Sequence, residues 1–139
     1  MNSLKKITLV LLLIVIVFLS YSFLSRHSVI YSTERFVESF YNQYNHKDFQ
    51  YIYDILSDPK MRSHMGPVVF AFRMQSSYDQ LGPVQSRKRT MWKKTRTPEG
   101  TFFLVQYKVK RTHYTSTEKF VLIQKKKDWF VDSYEIRRA

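Results

Sequence analysis

Glu118, Asp132 and Glu135 are the carboxylates whose setting could support chemistry, because each lies where apolar and polar residues alternate. A carboxyl group on the apolar face of a sheet, made less acidic by burial, can serve as a general acid or base. Asp132 is in phase with Phe130 and Tyr134, which would bring it near a tyrosine hydroxyl. For Glu118 the simpler expectation is a structural ion pair, with Arg87 as a candidate partner. Asp132 and Glu118 are therefore the catalytic candidates, set against a structural role that the sequence favours. The expectation is a protein that is not an enzyme.

Other chemistries are excluded by composition. The chain has no cysteine, which removes disulfides, iron–sulfur clusters, thiolate zinc sites and thiol catalysis. Its four histidines, His27, His46, His64 and His113, are scattered, with no pair at the spacing of a helical metal site. Three isolated glycines cannot build a phosphate-binding loop, and no Gly-x-Ser-x-Gly elbow occurs. No metal and no cofactor is expected.

Charge is the stronger signal. The 139 residues carry a formal net charge of +12. From Gln85 onward there are 15 Lys and Arg against 5 Asp and Glu, whereas His27 to Val84 has 5 against 6. The candidate anion-contacting residues are Arg87, Arg89, Lys108, Lys110, Lys125 and Lys126. Such a surface attracts polyanions, among them anionic lipid headgroups and acidic envelope polymers. Ordinary solvating charge is the competing explanation, above all for Lys125-Lys126-Lys127 in a turn. Nucleic acid is disfavoured, since no recognition motif accompanies the charge.

The elements that must position these residues follow from period and punctuation. Ser32 or Thr33 can cap a helix bearing Phe36, Val37, Phe40, Tyr41 and Tyr44. Asp48 can cap a second, with Phe49, Ile52, Tyr53 and Leu56 on one face, and Asp58-Pro59 can open a third. A further helix is predicted from Pro67 to Leu81, carrying Val68, Val69 and Phe72, with Gly82-Pro83 ending it. From Val84 the period becomes two. Thr101 to Arg111 is the clearest strand, with Phe103, Val105, Tyr107 and Val109 on one face and Phe102, Leu104, Gln106, Lys108 and Lys110 on the other. Glu118–Lys125 and Trp129–Arg137 repeat the pattern about a tight turn, and Val84–Trp92 is a weaker strand joined by a link over Lys93–Gly100. The fold class is α+β, with two to four helices packed on a curved antiparallel sheet of about four strands.

Ahead of this domain, Ile7 to Leu24 is an apolar run of 18 residues with no charged residue inside. As a helix it is about 27 Å long, near the length that crosses a bilayer. The layout is residues 1–6 cytoplasmic, 7–24 a transmembrane anchor, 25–32 a spacer and 33–139 an exported domain. Lys5 and Lys6 favour a cytoplasmic N-terminus. Ser20-x-Ser22 leaves cleavage near Ser22, and secretion, as the alternative.

Leu81-Gly82-Pro83-Val84-Gln85-Ser86-Arg87, Val105-x-Tyr107-x-Val109, Glu118-x-Phe120-Val121-Leu122 and Trp129-x-Val131-x-x-Tyr134-x-Ile136-Arg137 occur in this order. In this the chain resembles a family of exported bacterial proteins, the domain of unknown function 4019, and is similar in layout to nuclear-transport-factor-like and cystatin-like folds. Ser133 stands where the family's pattern has a glycine. The resemblance implies an α+β fold in an exported bacterial protein and supplies no catalytic residue; with the anchor, the expected location is the bacterial inner membrane. The expected function is a non-catalytic binding module for a protein or anionic envelope partner. A small cavity enzyme and a scaffold subunit of an envelope secretion machine are the alternatives.

Overall fold

The computed structural model describes residues 2–138. The chain divides after Glu38 into two compact units. The first is helical from Asn2 to Glu38. Helix α1 spans Asn2–Asn45, and its apolar residues from Ile7 to Leu24 are exposed. It is long and apolar enough to cross a membrane by length and composition. The expected start at Ser32 or Thr33 is not there, and the spacer is helical. Ser32 Oγ donates to the carbonyl of Ser28 at 3.1 Å and Thr33 Oγ1 to that of Val29 at 2.9 Å. Both hydroxyls thus bond backwards, as side chains inside a helix do, rather than capping forwards.

The second unit takes Ser39–Asn45 of α1, three short helical segments and a sheet. Asp48 caps α2 (Phe49–Tyr51), its carboxylate accepting from Tyr51 N at 3.1 Å. The chain then widens into a π-turn, Ile52–Leu56, where Ser57 Oγ donates five residues back to Ile52 O at 2.8 Å. Phe49, Ile52, Tyr53 and Leu56 are buried, as their spacing predicts. Asp58 caps α3 (Pro59–His64), and α4 (Pro67–Leu81) ends at Gly82, whose φ is 81°. A Cβ at Gly82 would also lie 2.8 Å from Thr112 Cβ. The buried row of α4 is Phe70, Met74 and Leu81, whereas Val68, Val69 and Phe72 are exposed, which corrects the expected face.

Strands β1 (Val84–Thr97), β2 (Gly100–Arg111), β3 (Thr115–Lys125) and β4 (Asp128–Arg138) form an antiparallel meander in that order. β1 is longer than its sequence suggests. Lys93–Thr97 pairs with Leu104–Gly100, leaving only Pro98-Glu99 as the turn. In β4 the register shifts, because Val121 faces Ser133 while Leu122 faces Val131. Asp132 is the extra residue of this bulge, so Val131 and Tyr134 share a face and the expected phase with Phe130 is broken.

One face of the sheet, the inner, meets the helical residues of the second unit. Phe103, Val105, Tyr107, Val109, Phe120 and Leu122 have no exposed surface. The ring of Phe40 packs edge-on against Phe120 and against Tyr134, at 5.0 and 4.9 Å between centroids. Asp58 N donates to Val131 O at 2.9 Å and Lys125 Nζ to Asp58 Oδ1 at 2.7 Å, fastening the helical layer to β4 and β3. The Asn45 side chain does the same for β1, exchanging two hydrogen bonds with the backbone of Val84 at 2.8 and 3.0 Å.

Candidate functional site

Alternation brings Glu118 inward. It is in phase with Phe120 and Leu122 on β3, and Arg111 continues the inner row Val105, Tyr107, Val109 on β2. Their side chains form an ion pair with Arg111 Nε 2.6 Å from Glu118 Oε1, and neither has exposed surface. Oε1 also accepts from Ser116 Oγ at 2.7 Å. Oε2 accepts from the hydroxyls of Tyr41 and Tyr134, at 2.6 and 2.5 Å. Arg111 spends its other nitrogens on Gly82 O at 3.0 Å and on the Tyr134 hydroxyl at 3.1 Å, and its guanidinium lies 4.6 Å from the centre of the Tyr44 ring.

The electrostatics follow from that enclosure. Burial pushes the hydroxyls of Tyr41 and Tyr134 well above the ordinary phenol range, and the Glu118 charge pushes further in the same direction. Burial also raises Tyr44. For Arg111, burial alone would lower the pKa, but Tyr134 and Glu118 more than reverse this and it is raised. A buried charge pair is tolerated when its remaining hydrogen-bonding capacity is met, and here each carboxylate oxygen has two partners. The network joins α1, β2, β3, β4 and the end of α4 through one carboxylate.

Arg87 is placed elsewhere. Its guanidinium lies over the rings of Tyr41 and Tyr107, at 5.6 and 5.4 Å. The ion pair of Glu118 is with Arg111, a partner that the sequence reading passed over although it continues the alternation of β2. Asp132, in the β4 bulge, is half-buried and is not in the network.

The opposite, outer face of the sheet carries the unbalanced charge. Lys88 stands directly across from Lys108, and Lys110 is paired with Ser86. Lys108 is next to Thr117 of β3, and Gln106 to Lys119. Lys88, Lys108 and Lys110 are exposed and form no ion pair among the described residues. A cleft of about 350 Å³ beside them is lined by Gln106, Thr117, Lys119, Glu135, Arg137 and Arg138. Glu135 there is already engaged by Arg137 Nε at 2.7 Å and Lys119 Nζ at 3.6 Å, and the Arg137 hydrogen bond holds its carboxyl below the usual range. Towards the other end of the same face, Phe102, Ile123 and Phe130 pair across three strands.

The structure thus gathers Lys108 and Lys110 on one face and separates the other candidates from them. Arg89 pairs with Tyr107 and so lies on the inner-facing side of β1, Lys125 is bonded to Asp58, and Lys126 occupies the β3–β4 turn with a φ of 58°. Lys88 and Lys119, absent from the sequence-based set, join the outer cluster through register alone. Among the described residues no three His, Cys, Asp or Glu side chains are grouped to hold a metal ion. No family model and no curated protein matches the chain.

Proposed function

We propose that this protein is a non-catalytic, single-pass membrane-anchored binding module that presents the outer face of its sheet to an anionic partner in the bacterial envelope. The observation that carries the reading is Lys88 facing Lys108 with Lys110 alongside. Like charges directly across a ladder destabilise it, and an anion bridging them removes that cost. Helix α1 supplies the anchor, Lys5 and Lys6 favour an N-terminus in the cytoplasm, and the domain is exported. The layout resembles the exported bacterial family of domain 4019, and together with the anchor this supports an inner-membrane location. Catalysis by Glu118 has no part in this reading, because both oxygens are engaged and the side chain has no exposed surface.

The test uses the full chain in neutral phosphatidylcholine nanodiscs, incubated with phosphatidylglycerol vesicles. Co-sedimentation is expected at about 0.05 M salt and lost by about 0.5 M, as screening shortens the reach of the charges. Binding indifferent to salt and to a Lys108→Glu, Lys110→Glu double substitution would rule the reading out.

A further inference from the structure

The core is not filled everywhere. Between α3, α4 and β4 lies an open-mouthed pocket of about 220 Å³. Its wall is apolar, with Met61, Met65 and Met74 facing Phe70, Val131 and Ile136. Its polar groups are already committed. The Ser77 hydroxyl bonds to Tyr44 at 2.8 Å and the Tyr134 hydroxyl to Glu118 at 2.5 Å. Arg73 is the exception, an exposed guanidinium on α4 that lines the pocket and has no hydrogen-bond or ion-pair partner among the described residues.

We propose that this pocket binds a free medium-chain carboxylate, with the alkyl tail among the methionines and the carboxylate on Arg73. Three lines of chemistry converge on that class. The volume sets how much of the tail is enclosed: a cavity of about 150 Å³ accepts benzene, so about nine carbons fit inside this one. Methionine side chains are unbranched and flexible, and they mould to a linear chain better than a branched wall does. The one polar side chain lining the pocket without a protein partner among the described residues is a guanidinium, whose fork of donors suits a carboxylate. The pocket is on the helical side of the sheet and is independent of the basic face proposed above.

The experiment labels the methionine methyl groups of the full chain, in phosphatidylcholine nanodiscs, and follows them by NMR during titration with nonanoate at neutral pH. Met61, Met65 and Met74 are expected to shift saturably, while Met91 on β1 serves as the internal reference. Arg73→Gln, an exposed substitution, is expected to weaken nonanoate about fivefold and to leave nonanol unchanged. Shifts no larger than that of Met91 overturn the proposal, and so does a variant that binds nonanoate as the parent does. Resonances that follow the acyl length of the nanodisc lipid but ignore nonanoate assign the pocket to a bilayer chain and overturn it as well.

Discussion

The sheet carries charge on both faces, and the two faces treat it in opposite ways. Inside, Arg111 and Glu118 are buried, and each oxygen of the carboxylate is matched by two donors. Outside, Lys88, Lys108 and Lys110 stand together with no ion-pair partner among the described residues. Removing a buried charge leaves its partners stranded in a dry interior, whereas removing an exposed one leaves them in water. The inner charges therefore determine whether the sheet and helices hold together, whereas the outer ones face solvent and are free to meet the anionic partner proposed above.

The largest test of this contrast is Glu118→Ala, which strands Arg111 and two tyrosine hydroxyls. A loss of about 3–5 kcal/mol is expected in urea unfolding followed by circular dichroism. A loss below about 1 kcal/mol would place the inner network with the outer charges. Alkaline pH probes the same network with no substitution. In the unfolded chain tyrosines ionise near pH 10, but in the fold Tyr41, Tyr44 and Tyr134 are raised, so the unfolded state releases protons first. Their contribution is complete below about pH 10 and is lost as pH rises from there towards each folded value, by at most about 1.4 kcal/mol per pH unit for the buried Tyr41 and Tyr134 and by less for Tyr44. Tyr41→Phe should make that fall shallower in a series of urea midpoints. An unchanged slope would show Tyr41 ionising freely.

Asp58→Ala tests an intermediate case, a buried carboxylate serving as a helix cap. About 1 kcal/mol is expected from the cap, with little added by the half-exposed Lys125. The smallest effect on stability belongs to Lys108→Ala, Lys110→Ala, which should leave the urea midpoint unchanged or slightly raised, since Lys88 loses its facing like charge. The same variant should bind anionic vesicles about fivefold more weakly per lysine. A clear drop in stability would mean that the outer face is structural after all.

Much of the architecture was legible where one local rule governed the outcome. Strict alternation placed Phe103 to Val109, and short acidic caps followed by turns placed Asp48 and Asp58. What the sequence misplaced depended on competition between partners. Helix α4 has two apolar rows, and the choice of Phe70 and Met74 over Val68 and Phe72 is made by what packs against it. The outer end of β1, Lys93–Thr97, resembles a loop by composition, yet pairing to β2 extends it as a strand. One inserted residue at Asp132 flips the phase of β4, an event that period counting does not detect. Arg111 was within reach, since it is the next inward position after Val109. Charge in a core row is easily discounted unless its partner is sought in the same way.

The two hydroxyls on Glu118 come from opposite ends of the domain, Tyr41 lying 77 residues before the carboxylate and Tyr134 16 residues after it. The hairpins of the meander join neighbours in the chain and can form early, while loop-closing contacts between distant residues carry a larger entropic cost. A nascent chain that has delivered β1 to β3 still lacks the Tyr134 hydroxyl and the Val131 carbonyl that fastens Asp58. The last strand is thus a latch on the assembly, and a ribosome-stalled or truncated product ending before residue 131 should be recognisable as protease-sensitive.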